Sequence, residues 1–163
     1  MKLFILAVSA CILTGCASAQ LRDTTYYNIK DINIPKDYNT CWQNLLDVLS
    51  DQNEPIVTIE KESGILVSDF VNISQDSLIR YALVPYGMMG TGYTEGRYKL
   101  NIRVKKISEN VTAVKINAHI EGFWGIVQPY GWLALESRGV LEVGILQQLA
   151  SKVGVELTYS KNE

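Results

Sequence analysis

The sequence is short of the residue types from which metal centres and nucleophilic active sites are usually built. His119 is the only histidine, and 3 cysteines occur in 163 residues. So few imidazoles and thiols do not supply the ligand set of a usual structural or catalytic zinc site. Ser63, Ser68 and Ser137 lack the strand–turn–helix context of a nucleophile elbow. We therefore expect no metal, no cofactor and no enzyme of these classes.

Phosphate-binding and acid–base motifs are also weak. The glycines of "GMMGTGYTEG", residues 87–96, match neither nucleotide fingerprint, and the segment leads into a predicted strand rather than a helix that would offer its N-terminus to an anion. A site built only from carboxylates, among Asp69, Asp76 and Glu95, stays open, but the spacing of these residues does not favour it.

A basic surplus is missing as well. Lys and Arg total 15 against 17 Asp and Glu, for a formal net charge of −2. Nucleic-acid-binding domains typically carry a strong basic excess, so we expect no nucleic-acid partner. Beyond residue 13, no apolar run approaches the roughly 20 residues that a membrane-spanning helix needs.

The N-terminus is where a hydrophobic run does occur. Met1-Lys2 precedes 11 almost wholly apolar residues, 3–13, which is the length of a signal-peptide core. Two processing sites compete there. Ala17-Ser18-Ala19 would allow ordinary removal of the leader before Gln20, and "LTGC", residues 13–16, offers a second site.

"LTGC" resembles the lipobox of bacterial lipoproteins. The resemblance implies cleavage before Cys16, a diacylglyceryl group on its thiol and usually a third acyl chain on the new amino terminus. Several acyl chains anchor a protein far more firmly than one. Residues 1–15 would be the signal peptide and residues 16–24 an acylated tether. In that family an Asp after the lipidated cysteine favours the inner membrane. Ala17 therefore favours the outer membrane, with the domain on its periplasmic side.

Cleavage at that site leaves 148 residues with a formal net charge of −3, because Lys2 departs with the leader. Cys41 is then the one remaining free thiol. It lies on the apolar side of a predicted helix, so we expect a buried structural cysteine.

Helical periodicity is clearest near residues 40 and 145. Apolar residues recur at steps of three and four over residues 38–49, and Asp37 stands where an N-cap is needed. Residues 137–153 predict a second helix, with Gly154 at its end. Gly144 lies within it. A mid-helix glycine costs about 1 kcal/mol, so we expect close helix–sheet contact there.

Strand patterns fill the rest of the chain. Apolar and charged residues alternate strictly along two segments, which predicts a sheet with one buried and one solvated face. We therefore predict one α+β domain over residues 25–160, with an antiparallel sheet and two helices packed on one face. The predicted strands are residues 56–61, 65–71, 78–84, 97–107 and 111–121, with an edge strand within 24–35.

The succession of "DYNTCWQNLLDVL", "KESGILVSDF", a long hairpin and "ESRGVLEVGILQQLA" resembles helix-grip lipoprotein domains. These include the domains of lipoprotein C of the outer-membrane β-barrel assembly machinery. The resemblance covers residues 36–153 and implies a two-layer helix-grip fold. That lipoprotein has two such domains after a long unstructured segment. This chain has room for one, so the assembly role does not transfer directly.

Hairpin geometry predicts a binding site at one pole of the sheet. Arg97 and Glu121 fall at the same end, so the loop before Arg97 and the loop after Glu121 emerge together. Both loops are rich in glycine, methionine and aromatics, which suit adaptable apolar contacts. The predicted partner-binding residues are Tyr86, Met88, Met89, Tyr93, Phe123, Trp124 and Tyr130. The alternative is that these rings close the end of the core. We expect a mixture, with Trp132 inside and Trp124 and Tyr130 outside.

The solvated face predicts a second, weaker feature. Basic side chains on it would suit anionic headgroups or an acidic partner. The alternative is an ordinary solvated face that discourages aggregation. The residues are Arg97, Lys99, Arg103, Lys105, Lys115 and His119.

Together these patterns predict a lipid-anchored, non-catalytic binding or scaffolding protein of the bacterial envelope, accessory to an assembly complex. The alternative is a carrier or sensor of a small apolar ligand held between helix and sheet. A carrier would need an internal pocket among Trp42, Leu45, Tyr98, Ile116 and Ile145.

Overall fold

The computed structural model describes residues 27, 30–85, 92–125 and 131–157. The fold is α+β, as predicted. Its elements are β1 (Asp31–Ile34), α1 (Tyr38–Asp51), β2 (Ile56–Glu60), β3 (Ile65–Ser68), β4 (Val71–Ser74), α2 (Gln75–Tyr81), β5 (Tyr93–Ser108), β6 (Val111–Trp124), β7 (Gly131–Leu135) and α3 (Val140–Lys152).

The long β5–β6 hairpin is the centre of one antiparallel sheet. The main path of the sheet is β1-β6-β5-β3-β2, with β4 also paired to β5 and β7 also paired to β6. The predicted edge strand is β1, which pairs with β6 so that Asp31 lies opposite Lys115. Every other strand except β2 therefore pairs with β5 or β6. The alternating side chains of these two strands define the two faces of the sheet.

The helices cover one of those faces. The predicted stripe of α1 faces the core, with Cys41, Trp42, Leu45 and Leu49 buried and Tyr38 and Leu46 half-buried; Val48, outside the predicted stripe, is buried as well. Asp37 caps the helix by accepting a hydrogen bond from the Thr40 backbone N–H at 3.0 Å. These residues share one apolar core with β5, β6 and α3. The other face of β5 and β6 carries the charged residues and is called the open face below.

The segment predicted as a strand over residues 78–84 is helical in its first part, because a third helix, α2, runs from Gln75 to Tyr81, and Ala82 then forms an isolated bridge with Ser137. Ser74 caps α2 through the Ser77 backbone N–H, and Asp76 and Arg80 lie at the ends that suit the helix dipole. Its Leu78 is fully buried. Leu78 fits because Gly96 and Gly122 face each other across β5 and β6. A Cβ on Gly96 would come within 2.6 Å of the leucine Cδ1.

Two further expectations need correction. The predicted strand over 65–71 is two strands, β3 and β4, separated by Asp69 and Phe70. Gly144 makes no close contact with the described part of the sheet, because no described atom beyond its own helix backbone and chain neighbours lies within 4 Å of the position its Cβ would occupy. Gly154, by contrast, has the positive φ of 70° that suits the end of a helix.

None of the helices in the described part of the chain is both long enough and apolar enough to cross a membrane.

Candidate partner-binding site on the open sheet face

The loop-bearing pole has the predicted geometry. Arg97 lies opposite Glu121, and Tyr93 lies opposite Trp124 where β5 begins and β6 ends. The chain therefore enters β5 and leaves β6 at the same end of the sheet. Tyr86, Met88, Met89 and Tyr130 lie outside the described residues, as does Cys16, so their assigned roles stay predictions.

Tyr93 and Trp124 belong to the helix-covered side. Tyr93 is 5% exposed, and its ring meets that of Trp124 edge-on at a centroid distance of 5.0 Å. Trp124 packs against the core, and a side chain on Gly92 would clash with its indole. Both rings therefore lie on the helix side rather than on the open face: Tyr93 closes the end of the core, and Trp124 packs on that core while staying half-buried, so a partner-binding role for Trp124 stays a prediction.

Local strand geometry explains both positions. β6 continues three residues past its predicted end at Glu121, so alternation turns Trp124 towards the helices. In β5 the pairing shifts between Tyr93 and Glu95. This bulge puts one extra residue in the strand and turns Tyr93 to the helix side as well.

Phe123 and Trp132 lie on the open face instead. They are directly opposite each other on β6 and β7, and their rings meet at 5.4 Å and 65°. Trp132 was expected inside and Trp124 outside, and the structure reverses the two. Both open-face rings are half-buried, so each keeps surface that a partner can reach.

Arg97 ties these rings to a third aromatic. Its guanidinium carbon lies 4.2 Å from the ring centroids of both Phe70 and Trp132. The same guanidinium is held by Glu121, with Nε and Nη2 each 2.6 Å from Oε2. Cation–π contacts add about 0.5–1 kcal/mol each at exposed sites. Arg97 is thus fixed between two rings while remaining 28% exposed.

Glu121 is shared between two side chains, Arg97 and His119. Its second oxygen, Oε1, lies 2.9 Å from Nε2 of His119, whose ring is also 6.1 Å from that of Phe70. Desolvation raises the pKa of Glu121, but the hydrogen bonds from His119 and Arg97 outweigh it and hold the pKa below its ordinary value. The carboxylate therefore stays ionised and keeps Arg97 in place.

We call this group the aromatic–arginine cluster: Phe70, Arg97, His119, Glu121, Phe123 and Trp132. Of these residues, Phe123 was predicted as a site residue, and Arg97 and His119 were predicted on the solvated face. Phe70, which lies in the break between β3 and β4, was not predicted, and Trp132 lies on the side opposite to the one expected. Recognising that break and the register of β7 would have found both.

The described cluster presents side chains that suit recognition of a partner. It presents flat apolar rings, guanidinium donors and a carboxylate, and His119 bonds to Glu121 rather than to a hydroxyl or thiol. Across residues 27–157, where described, no group of three or more His, Cys, Asp and Glu side chains is placed to hold a metal ion. Cys41 is buried, and burial raises the pKa of its thiol.

The five side chains that the carrier alternative requires are all buried. They belong to the single apolar core: Trp42, Leu45, Tyr98, Ile116 and Ile145. A shallow, open depression of about 490 Å³ lies elsewhere, at the C-terminal end of α3 between Gln147 and Leu157. It lies away from the five carrier residues and does not supply the apolar pocket that a carrier needs.

No protein-family model and no curated protein matches this chain.

Proposed function

We propose that this chain is a non-catalytic binding module whose open sheet face captures a protein partner at the pole. Acylated Cys16 would hold it at the periplasmic side of the bacterial outer membrane. The observation that carries the proposal is the aromatic–arginine cluster, in which Arg97 is clamped between Phe70 and Trp132 at 4.2 Å from each.

The composition of the cluster supports binding. Tryptophan and arginine are enriched among the few interface residues that dominate affinity. A surface that is already ordered loses less conformational freedom when a partner arrives. Arg97 is ordered before binding by two rings and by Glu121, so the cluster meets that condition.

The loop residues that the sequence predicts for this site are retained in the proposal. Met88 and Met89 belong to the segment between α2 and β5, and Tyr130 to the segment between β6 and β7. The first segment enters β5 and the second leaves β6 at the end of the sheet where Phe123 lies. Methionine and tyrosine would add adaptable contacts around the ordered cluster.

The lipobox "LTGC" supports the anchor. It stands directly after an apolar leader of signal-peptide length, and Ala17 follows the cysteine. A membrane-held binding module suits an accessory role in an envelope assembly complex.

In-cell cross-linking tests the binding site. The double variant Phe123→Ala/Trp132→Ala should deplete a discrete set of cross-linked envelope proteins about tenfold or more, as loss of interface hot spots does. The matched control is Val57→Ala/Ile59→Ala, which removes two exposed apolar side chains from the sheet edge at β2. The same cross-linked proteins at the same yield in both variants would contradict the proposal.

Intact mass measurement and fractionation test the anchor. Protein extracted from native membranes should have the mass of a chain that starts at Cys16 with acyl chains attached. Cys16→Ser should leave the membrane fraction while retaining the fold. A mature chain that starts at Gln20 without acylation would overturn the anchor but would leave the binding site untouched.

A further inference from the structure

The open face has a second charged region near the β5–β6 turn, far from the pole. Arg103 and Lys115 lie directly opposite each other, and Lys105 lies two residues further along β5. We call these three exposed side chains the basic patch. In the part of the chain that the structure describes, none of them forms an ion pair.

Placing Arg103 directly opposite Lys115 is unfavourable for the stability of the sheet. Like charges directly opposite on neighbouring strands destabilise a sheet, whereas opposite charges stabilise it. At the pole the same two strands follow the stabilising rule, with Arg97 opposite Glu121. Asp31, opposite Lys115 on β1, forms no described ion pair either. The patch therefore has one carboxylate beside it, that of Asp31, and forms no ion pair with any described residue.

Overall composition does not account for the patch. The chain has more acidic than basic residues, 17 against 15, so an evenly mixed surface would not gather three unpaired cations. The exposed charges of the helices are mixed, with Asp47, Asp51 and Asp76 against Arg80 and Lys152, and Lys152 is paired with Asp51. The basic patch differs because its three cations have no ion-pair partner among the described residues.

We propose that the basic patch docks on the surface of an anionic lipid bilayer. The three cations project from one side of two adjacent strands, spaced by about 5 Å across the strands and about 7 Å along β5. Such an array suits many headgroups side by side rather than one small anion. The choice of a bilayer rests on the proposed anchor, because residues 16–26 span at most about 40 Å and would keep the patch near the membrane.

Docking through the basic patch would fix the orientation of the domain relative to the membrane. Arg97 lies eight residues along β5 from Lys105, which is about 27 Å of strand. With the turn end of the open face on the bilayer, the aromatic–arginine cluster would stand clear of it and remain available to a protein partner.

Vesicle co-sedimentation tests this with the chain from residue 16 carrying Cys16→Ser, which cannot be acylated. We expect binding to phosphatidylcholine vesicles that contain about 30% phosphatidylglycerol, and none to phosphatidylcholine alone. Binding at about 20 mM salt should weaken severalfold at about 200 mM, where the charges are screened. Each patch cation should contribute roughly fivefold, so Arg103→Gln/Lys105→Gln/Lys115→Gln should weaken binding roughly a hundredfold.

The matched control removes three exposed cations elsewhere: Lys36→Gln, Lys61→Gln and Arg80→Gln. Its net charge equals that of the patch variant, so only the location differs. Equal weakening in both variants, or no vesicle binding by the parent protein, would overturn the proposal. Patch-dependent binding to polyglutamate without vesicle binding would also overturn it and would indicate an acidic protein partner.

The assay separates this inference from the proposed function. An unacylated protein needs no anchor to bind vesicles, so loss of the anchor proposal would not by itself abolish the signal. Partner cross-linking depends on Phe123 and Trp132, which the patch variant leaves intact.

Discussion

The two faces of the β5–β6 hairpin differ in the interactions that hold their side chains in place. On the helix-covered face Leu100, Ile102 and Ile116 are each at most 3% exposed and belong to one apolar core. On the open face the order comes from an ion pair and ring contacts around Arg97. Burying a Leu or Ile side chain gives about 1.5–3 kcal/mol, whereas exposed ion pairs give about 0–1 kcal/mol. Stability therefore depends mainly on one face, and the other is free to serve binding.

Adjacent residues of β5 give the largest expected contrast. Leu100→Ala should lower the free energy of unfolding by about 2–5 kcal/mol, because it leaves a cavity under the helices. Asn101→Ala, one residue along on the open face, should change it by no more than about 0.5 kcal/mol. Urea denaturation of both variants measures the difference. Similar losses in both would mean that the open face is not separable from the core.

The same contrast holds between neighbouring aromatics of β6. Trp124→Ala should cost about 2–3 kcal/mol, somewhat below the range for a fully buried tryptophan because Trp124 is half-exposed. Phe123→Ala should cost about 1 kcal/mol or less, because its ring rests on Trp132 rather than on the core. Thermal and urea unfolding check both. A greater loss from Phe123→Ala would reverse the assignment of the two rings.

Glycines test how closely the helices approach the sheet. Gly96→Ala should destabilise by about 1–3 kcal/mol, because the added methyl group meets Leu78. Gly144→Ala, on a helix position with free space around it, should stabilise by about 0.5–1 kcal/mol. If Gly144→Ala were destabilising, α3 would pack more tightly than the structure indicates.

The smallest expected contrast is in how the free energy of unfolding depends on pH. Glu54 on the helix-covered side and Glu121 on the open face should change it in opposite directions. Desolvation raises the pKa of Glu54 above its ordinary value of 4.5, although its hydrogen bond from Tyr98 opposes the rise. Its stabilising contribution is therefore present below pH 4.5 and is lost as pH rises through the folded-state pKa. The lowered pKa of Glu121 acts the other way, and its contribution is lost as pH falls through the folded-state pKa.

Unfolding measured across this acidic range should separate the two groups. Glu54→Gln should remove the part of the stability loss that develops above pH 4.5. Glu121→Gln should reduce the loss of unfolding free energy that occurs as the pH falls through the folded-state pKa of Glu121. Glu62→Gln, in the exposed turn before β3, serves as the control. Unchanged profiles in both test variants would contradict the assigned environments.

Periodicity was enough to predict the elements whose pattern is long. The stripe and cap of α1 and the alternation of β5 and β6 each extend over ten or more residues, so chance matches are few. The shared pole followed from the hairpin alone, because a tight turn fixes which strand ends are neighbours.

The identity of α2 and the side on which Tyr93 lies depend on tertiary contacts. α2 has only seven residues, with Leu78 and Ile79 together, and it is helical because the Gly96–Gly122 pair makes room for Leu78. The bulge before Glu95 reverses the side on which Tyr93 falls. Neither the glycine pairing nor the bulge leaves a local pattern that a single sequence displays.

Site-specific photo-cross-linking in cells tests the central claim most directly. A photoreactive phenylalanine analogue at position 123 keeps an aromatic ring in the aromatic–arginine cluster, and the same analogue at position 59 reports on the remote sheet edge. The account predicts discrete protein adducts from position 123, none of them from position 59, and their loss when Trp132→Ala is added. Adducts at both positions with the same proteins, or none at position 123, would contradict a partner-binding site at the pole of the open face.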